Sequence, residues 1–112
     1  MTATAALRHL RMSPRKLRPL CNEVRGKKVG DAVSFLMACR RKAAVPLLKL
    51  VRSAVANADR KGGVDVDNLY IRELLCDQGV TMKRWLTRAK GSASPILKRS
   101  SHLKVVLDEF TQ

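Results

Sequence analysis

A chain of 112 residues with a formal charge of +14 and a pI of about 10.8 has room for one domain and calls for a polyanionic partner. Nucleic acid fits that charge. A membrane does not, because no apolar run approaches the ~18 residues of a spanning helix, and Arg8, His9 and Arg11 interrupt any apolar leader at the N-terminus. The cysteines at 21, 39 and 76 lack the two-residue spacing of a zinc knuckle or redox motif, and His9 and His102 are far apart in sequence, so neither a metal site nor a cofactor is expected. The three thiols read as small apolar residues in a reducing, cytosol-like compartment.

Residues 3 to 11 alternate imperfectly between apolar and polar and suggest a short strand. Ser13 offers a capping hydroxyl, and Pro14 suits the first helical position, where a missing N–H costs nothing. The helix that follows is expected to run to about Arg25 and stop at Gly26, with Pro19 kinking or distorting it. A short helix covers roughly Asp31 to Ala38. The strongest periodicity spans Arg41 to Arg60. There Ala44, Leu47, Leu48, Val51, Ala54, Val55 and Ala58 form one apolar stripe, with Lys42, Lys49 and Arg52 off it. Gly62-Gly63 ends this helix, and Pro46 is expected to cost a hydrogen bond in its second turn. After Asp67 the period shortens, and Leu69 to Asp77 and Leu103 to Asp108 read as strands.

Polar and basic residues containing Gly91 and Pro95 separate those two strands. A structureless loop of that length is uncommon in a compact domain, so the simpler solution extends both strands into a two-stranded arm turning near Lys90-Gly91. From Gly79 to Gly91 such an arm spans on the order of 35–40 Å at ~3.3 Å per residue. The chain then divides into a head, residues 1–80 and 100–112, and an arm of about 81–99. A lone ribbon is marginal in water. Its basic strands are expected to repel one another, leaving 81–99 disordered or fluctuating until nucleic acid is bound.

The charge is concentrated. Residues 1 to 28 carry eight basic side chains (Arg8, Arg11, Arg15, Lys16, Arg18, Arg25, Lys27 and Lys28) against the single acid Glu23. From Gln78 to Leu107 there are seven (Lys83, Arg84, Arg88, Lys90, Lys98, Arg99 and Lys104) and no acid. A surface serving solubility alone mixes both signs. A segment lying along a phosphate backbone excludes carboxylates, which would repel it. In such an arm Trp85 is either a platform for an unstacked base or a residue packed against the opposite strand.

Several motifs in order carry a resemblance: Arg11-Met12-Ser13-Pro14-Arg15-Lys16, Arg25-Gly26-Lys27, Lys42-Ala43-Ala44, Ser53-Ala54-Val55-Ala56-Asn57-Ala58, Met82-Lys83-Arg84 with Arg88-Ala89-Lys90-Gly91, and Lys98-Arg99-Ser100-Ser101-His102. Their order and spacing resemble the bacterial form of the large-subunit ribosomal protein twenty-two family over nearly the whole chain. The resemblance implies an α+β fold, in which a three-stranded antiparallel sheet packs on three helices and a long two-stranded β-hairpin protrudes. It implies a structural constituent of the large subunit that binds rRNA, neighbours other ribosomal proteins and aids assembly. The hairpin would line the nascent-polypeptide exit tunnel and bear on macrolide sensitivity. By position, Ser13, Pro14, Arg15 and Lys16 fall on the RNA-facing head, and His102 lies beside the basic pair Lys98-Arg99. Met82, Lys83, Arg84, Arg88, Ala89, Lys90, Gly91 and Ser92 fall at the tunnel end of the hairpin. Thr87, Ser92 and Pro95 depart from the family pattern near the tip, as do Pro19 and Pro46 in helices.

The rival reading is a free-standing basic RNA chaperone or nucleoid protein, which shares the charge but has no need of the motif order. An enzyme is disfavoured. Asp65 and Asp67 flank a strand start, where acids are ordinary turn residues, and no glycine-rich phosphate loop of standard spacing occurs.

Overall fold

The computed structural model describes residues 3–62, 65–87 and 93–109, with the backbone alone described for 84–87 and 93–96. The expected tip residues Arg88, Ala89, Lys90, Gly91 and Ser92 therefore lie outside the described residues. The chain runs β1 (Ala3–Leu10), α1 (Pro14–Val24), α2 (Val29–Ala38), α3 (Ala44–Lys61), a short 3-10 turn (Val66–Asn68), β2 (Leu69–Gln78), β3 (Met82–Thr87), β4 (Ala93–Lys98) and β5 (Ser101–Glu109).

β5 is the centre of an antiparallel sheet ordered β1-β5-β2, pairing Ala5 with Val105 on one side and Leu74 with Val105 on the other. Alternation drives its packing. Leu103, Val105 and Leu107 are fully buried, and the helices cover that face with Leu17, Val24, Leu36, Leu47 and Val51. Val106, on the opposite alternation, is also buried, as befits a central strand flanked on both sides.

Two local expectations change, both in α3. α3 starts at Ala44, not Arg41, and residues 42–43 form a turn. Pro46 is thus the third helical residue, where the N–H has no intrahelical acceptor, so it removes no bond. The apolar stripe of α3 also includes Leu50, which lies outside the expected set, while Leu48 and Val55 are only partly buried. α1 continues through Pro19, which sits on its exposed side. There the carbonyl of Arg15 loses its helical donor where water or a ligand can replace it.

Cys21 and Cys76 meet between α1 and β2. Burial, reinforced by the Cys76 thiol and opposed by Arg25, pushes Cys21 up to about 11. Burial raises Cys76 as well. Because the raised group favours its protonated form in the fold, its stabilisation is present below pH 9 and lost as pH rises towards 11. At pH 8, Cys21 in the native protein should therefore alkylate at least about a hundredfold more slowly than in the urea-unfolded chain. Equal rates, followed by mass spectrometry of the labelled peptide, would contradict this packing.

Among the described residues, β3 and β4 pair only with each other, as a second, two-stranded sheet. The radius of gyration is 17.4 Å and the longest extent 66 Å. A compact chain of this length has a radius of about 13 Å, so the arm projects. Its register sets Met82 opposite Lys98, Lys83 opposite Leu97 and Arg84 opposite Ile96. Each of these basic residues faces a neutral one. Among the described pairs, the repulsion expected between the strands therefore acts along diagonals rather than directly across. Trp85 stands opposite Pro95.

Candidate nucleic-acid interface

The arm leaves the head through a clamped root. The Gly79 N–H donates to the Ser100 carbonyl at 2.9 Å, and the Ser100 hydroxyl donates to the Val80 carbonyl at 2.6 Å. A Cβ on Gly79 would stand 2.6 Å from that hydroxyl oxygen, so a larger residue would displace the hydroxyl from its bond to Val80. One residue on, the buried Ser101 hydroxyl donates to the Met12 carbonyl at 2.6 Å, tying β5 to the segment before α1. The two histidines, remote in sequence, also meet here. His9 occupies a positive φ of 60° where the β1–β5 register slips, a conformation that histidine tolerates better than most residues. Its N–H donates to Nδ1 of His102 at 3.1 Å, and the two rings stand edge to face at 4.9 Å. No group of three metal-ligating side chains occurs among the described residues.

Around this root the first basic segment is drawn into clefts. A cleft of about 550 Å³ is bordered by Arg11, Arg15 and Lys16 on one side and by Arg41 and Lys42 on the other. A second, of about 420 Å³, joins Arg15 and Arg18 to Arg99 at the arm's base. A third, of about 470 Å³, places Arg11 and His9 beside Met82, Lys98 and Arg99. Arg11, Arg15 and Arg99 are shared between neighbours, so the clefts form one continuous surface, and among the described residues no carboxylate borders any of the three.

The helix starts sharpen this surface. Ser13 caps α1, accepting from the Arg15 N–H at 3.3 Å, with Pro14 buried behind it. The Lys16 N–H is taken by the Ser13 carbonyl at 3.0 Å. With those donors used internally, the end of α1 offers an anion its dipole field and the side chains of Arg15 and Lys16. Neither α1 nor α3 has an acid in its first turn, although one there would stabilise the isolated helix. A helix start lined by cations instead is suited to an incoming phosphate.

The remaining candidates divide. Arg8 lies exposed beside His9, His102 and Lys104 on the far side of β1, with Asp77 nearby. Lys83 is exposed on β3, whereas Arg84 and Trp85 are placed by backbone alone. Arg25, Lys27 and Lys28 point to a different region, at the outer edge of β2. Arg25 donates twice to the Leu74 carbonyl, at 3.2 and 2.5 Å, and to Asn22 at 2.9 Å. Lys27 sits over the Phe35 ring, 4.9 Å from its centroid, and the backbone of Lys28 pairs with that of Tyr70. Arg25 and Lys27 are thus also engaged within the head. Conversely, Arg41 and Lys42 were missed as site residues. The signal available was the Arg40-Arg41-Lys42 run directly before a helix lacking any acidic cap.

Comparison with known proteins gives a consistent result. The sequence model of the family described as Ribosomal protein L22p/L17e matches residues 5–108. The large ribosomal subunit protein uL22 of Myxococcus xanthus is 50% identical over 111 residues, covering 97% of this chain and 97% of that protein. That of Syntrophotalea carbinolica is 50% identical over 109 residues, covering 97% and 99%. That of Anaeromyxobacter sp. strain K is 51% identical over 104 residues, covering 92% and 71%.

Proposed function

The chain belongs to the ribosomal protein L22p/L17e family, and from that premise we propose that it grips large-subunit rRNA through phosphate contacts at the arm's root, aids assembly of the subunit and sets its arm along the nascent-polypeptide exit tunnel. The family's role is structural rather than catalytic: its members are constituents of the large ribosomal subunit, in association with rRNA and other ribosomal proteins.

The observation that carries the phosphate reading is the acid-free cleft joining Arg11, Arg15 and Lys16 to Arg41 and Lys42. Arg18 and Arg99 extend it, and Lys98 leads from it onto the arm. Along the arm, Lys83, Arg84, Arg88 and Lys90 continue the contact, with Trp85 against an unstacked base. Arg8 and His102 serve the other side of the root, and Arg25, Lys27 and Lys28 a more distant RNA segment. Met82, Ala89, Gly91 and Ser92 complete the tunnel-facing end, beside the nascent polypeptide.

Head and arm together neutralising ten phosphates give a log–log salt slope of about −7 to −9 for binding the rRNA. Filter binding of the chain to large-subunit rRNA across a salt series measures it. A slope shallower than about −3 would overturn the phosphate reading.

A further inference from the structure

We propose that the groove between β1 and α3 receives one unpaired nucleotide of the rRNA, its base against an apolar floor and its phosphates against a cationic rim. This rests on the rRNA reading above and assigns a subsite within it.

The groove has a volume of about 570 Å³. Its floor is made by Leu7 and Leu10 of β1 with Val45, Pro46 and Leu50 of α3. Val45 is 56% exposed, in the first turn of a helix that buries Ala44, Leu47, Leu50, Val51, Ala54 and Ala58. Arg11, Lys42 and Lys49 stand at the rim, and among the described residues no acid borders it. Arg11, Met12 and Lys42 are shared with the cationic cleft, so a strand held there by its phosphates passes directly over the groove.

An apolar floor under a cationic rim matches the two halves of a nucleotide. The base gains by leaving water, and its phosphates gain from the rim. A paired base cannot enter, because its faces are covered by stacking. The edge strand supplies a means of reading the base. β1 is the outer strand of its sheet, and Asn57 donates to the outward-facing Thr4 carbonyl at 3.0 Å. Strand alternation turns the peptide groups of Ala6 the same way, and Ala6 borders the groove. Its N–H and carbonyl have no strand partner on that side, and offer a donor and an acceptor to a base edge. A segment of a neighbouring protein would share the floor but would gain less from three cations with no acid among them.

Photo-crosslinking in assembled large subunits tests this, with Val45→benzoylphenylalanine as probe and Arg15→benzoylphenylalanine as reference. The expected result is that position 45 crosslinks to rRNA at a nucleotide that chemical probing shows to be unpaired. A crosslink to a protein, to a paired nucleotide, or none at 45 while 15 labels rRNA overturns the groove and leaves the rRNA reading standing. No rRNA crosslink at either position removes both. In solution, Val45→Ser should weaken rRNA binding about five- to tenfold with the salt slope and melting temperature unchanged. Unaltered affinity contradicts the base contact. A shallower slope would mean that the loss came from phosphate instead.

Discussion

Replacing Arg11, Arg15 and Lys42 together by glutamine should weaken binding to large-subunit rRNA about a hundredfold at roughly 0.15 M salt. All three side chains are exposed and border one cleft. Each neutralised phosphate adds about 0.7 to 0.9 to the steepness of the log–log salt dependence, and so about 0.6 to 0.7 log units of affinity at that salt. Leaving three phosphates without their cations therefore costs about two log units, and the slope becomes shallower by about 2 to 3. The head should melt as before, because these side chains contribute nothing to the core. A charge-matched control, Arg52→Gln with Arg60→Gln and Lys61→Gln, removes three cations from the rest of α3. If the control loses as much affinity as the cleft variant, binding follows net charge and the cleft has no special part in it.

The arm carries the other large effect. β3 and β4 have only each other as strand partners, and a two-stranded ribbon alone is marginal in water. With each described basic residue opposite a neutral one, what it lacks is chiefly a core rather than relief from direct repulsion. In the free protein, amides of residues 82–87 and 93–98 should therefore exchange near the random-coil rate, while Val51 to Ala58, inside α3, stay protected. In assembled subunits both should be protected, the ordering cost being offset by phosphate contacts. By the same reasoning the head is a unit without the arm. Replacing residues 81–99 by a two-residue turn should leave one cooperative melting transition, helped by the Gly79–Ser100 bond that already brings the chain ends together. Strong protection of the free arm, or loss of cooperative melting without it, would show that head and arm form one structural unit.

What the sequence disclosed, it disclosed through local rules. The Ser13 cap and Pro14 at the first helical position mark the start of α1. The three- and four-residue spacing of Leu47, Val51, Ala54 and Ala58 marks α3, and Gly62, at a positive φ of 71°, its end. The change to a period of two after Asp67 announces the strands, and the acid-free stretch the arm. What stayed hidden depends on long-range placement. Nothing local says that His9 reaches His102, because the register slip that joins them belongs to the β1–β5 pairing. Nothing local shows that Arg25 reaches the Leu74 carbonyl. Arg41 and Lys42 look like an ordinary basic run until the fold sets them across from Arg11 and Arg15. Pro46 looks like a defect only when the start of α3 is placed three residues too early.

A density map of purified large subunits containing this chain tests the account most directly. It should show rRNA phosphates in the cleft bordered by Arg11, Arg15 and Lys42, with the β3–β4 arm running from that cleft into the wall of the exit tunnel. A cleft open to solvent or filled by another protein, or an arm lying outside the tunnel, would contradict it.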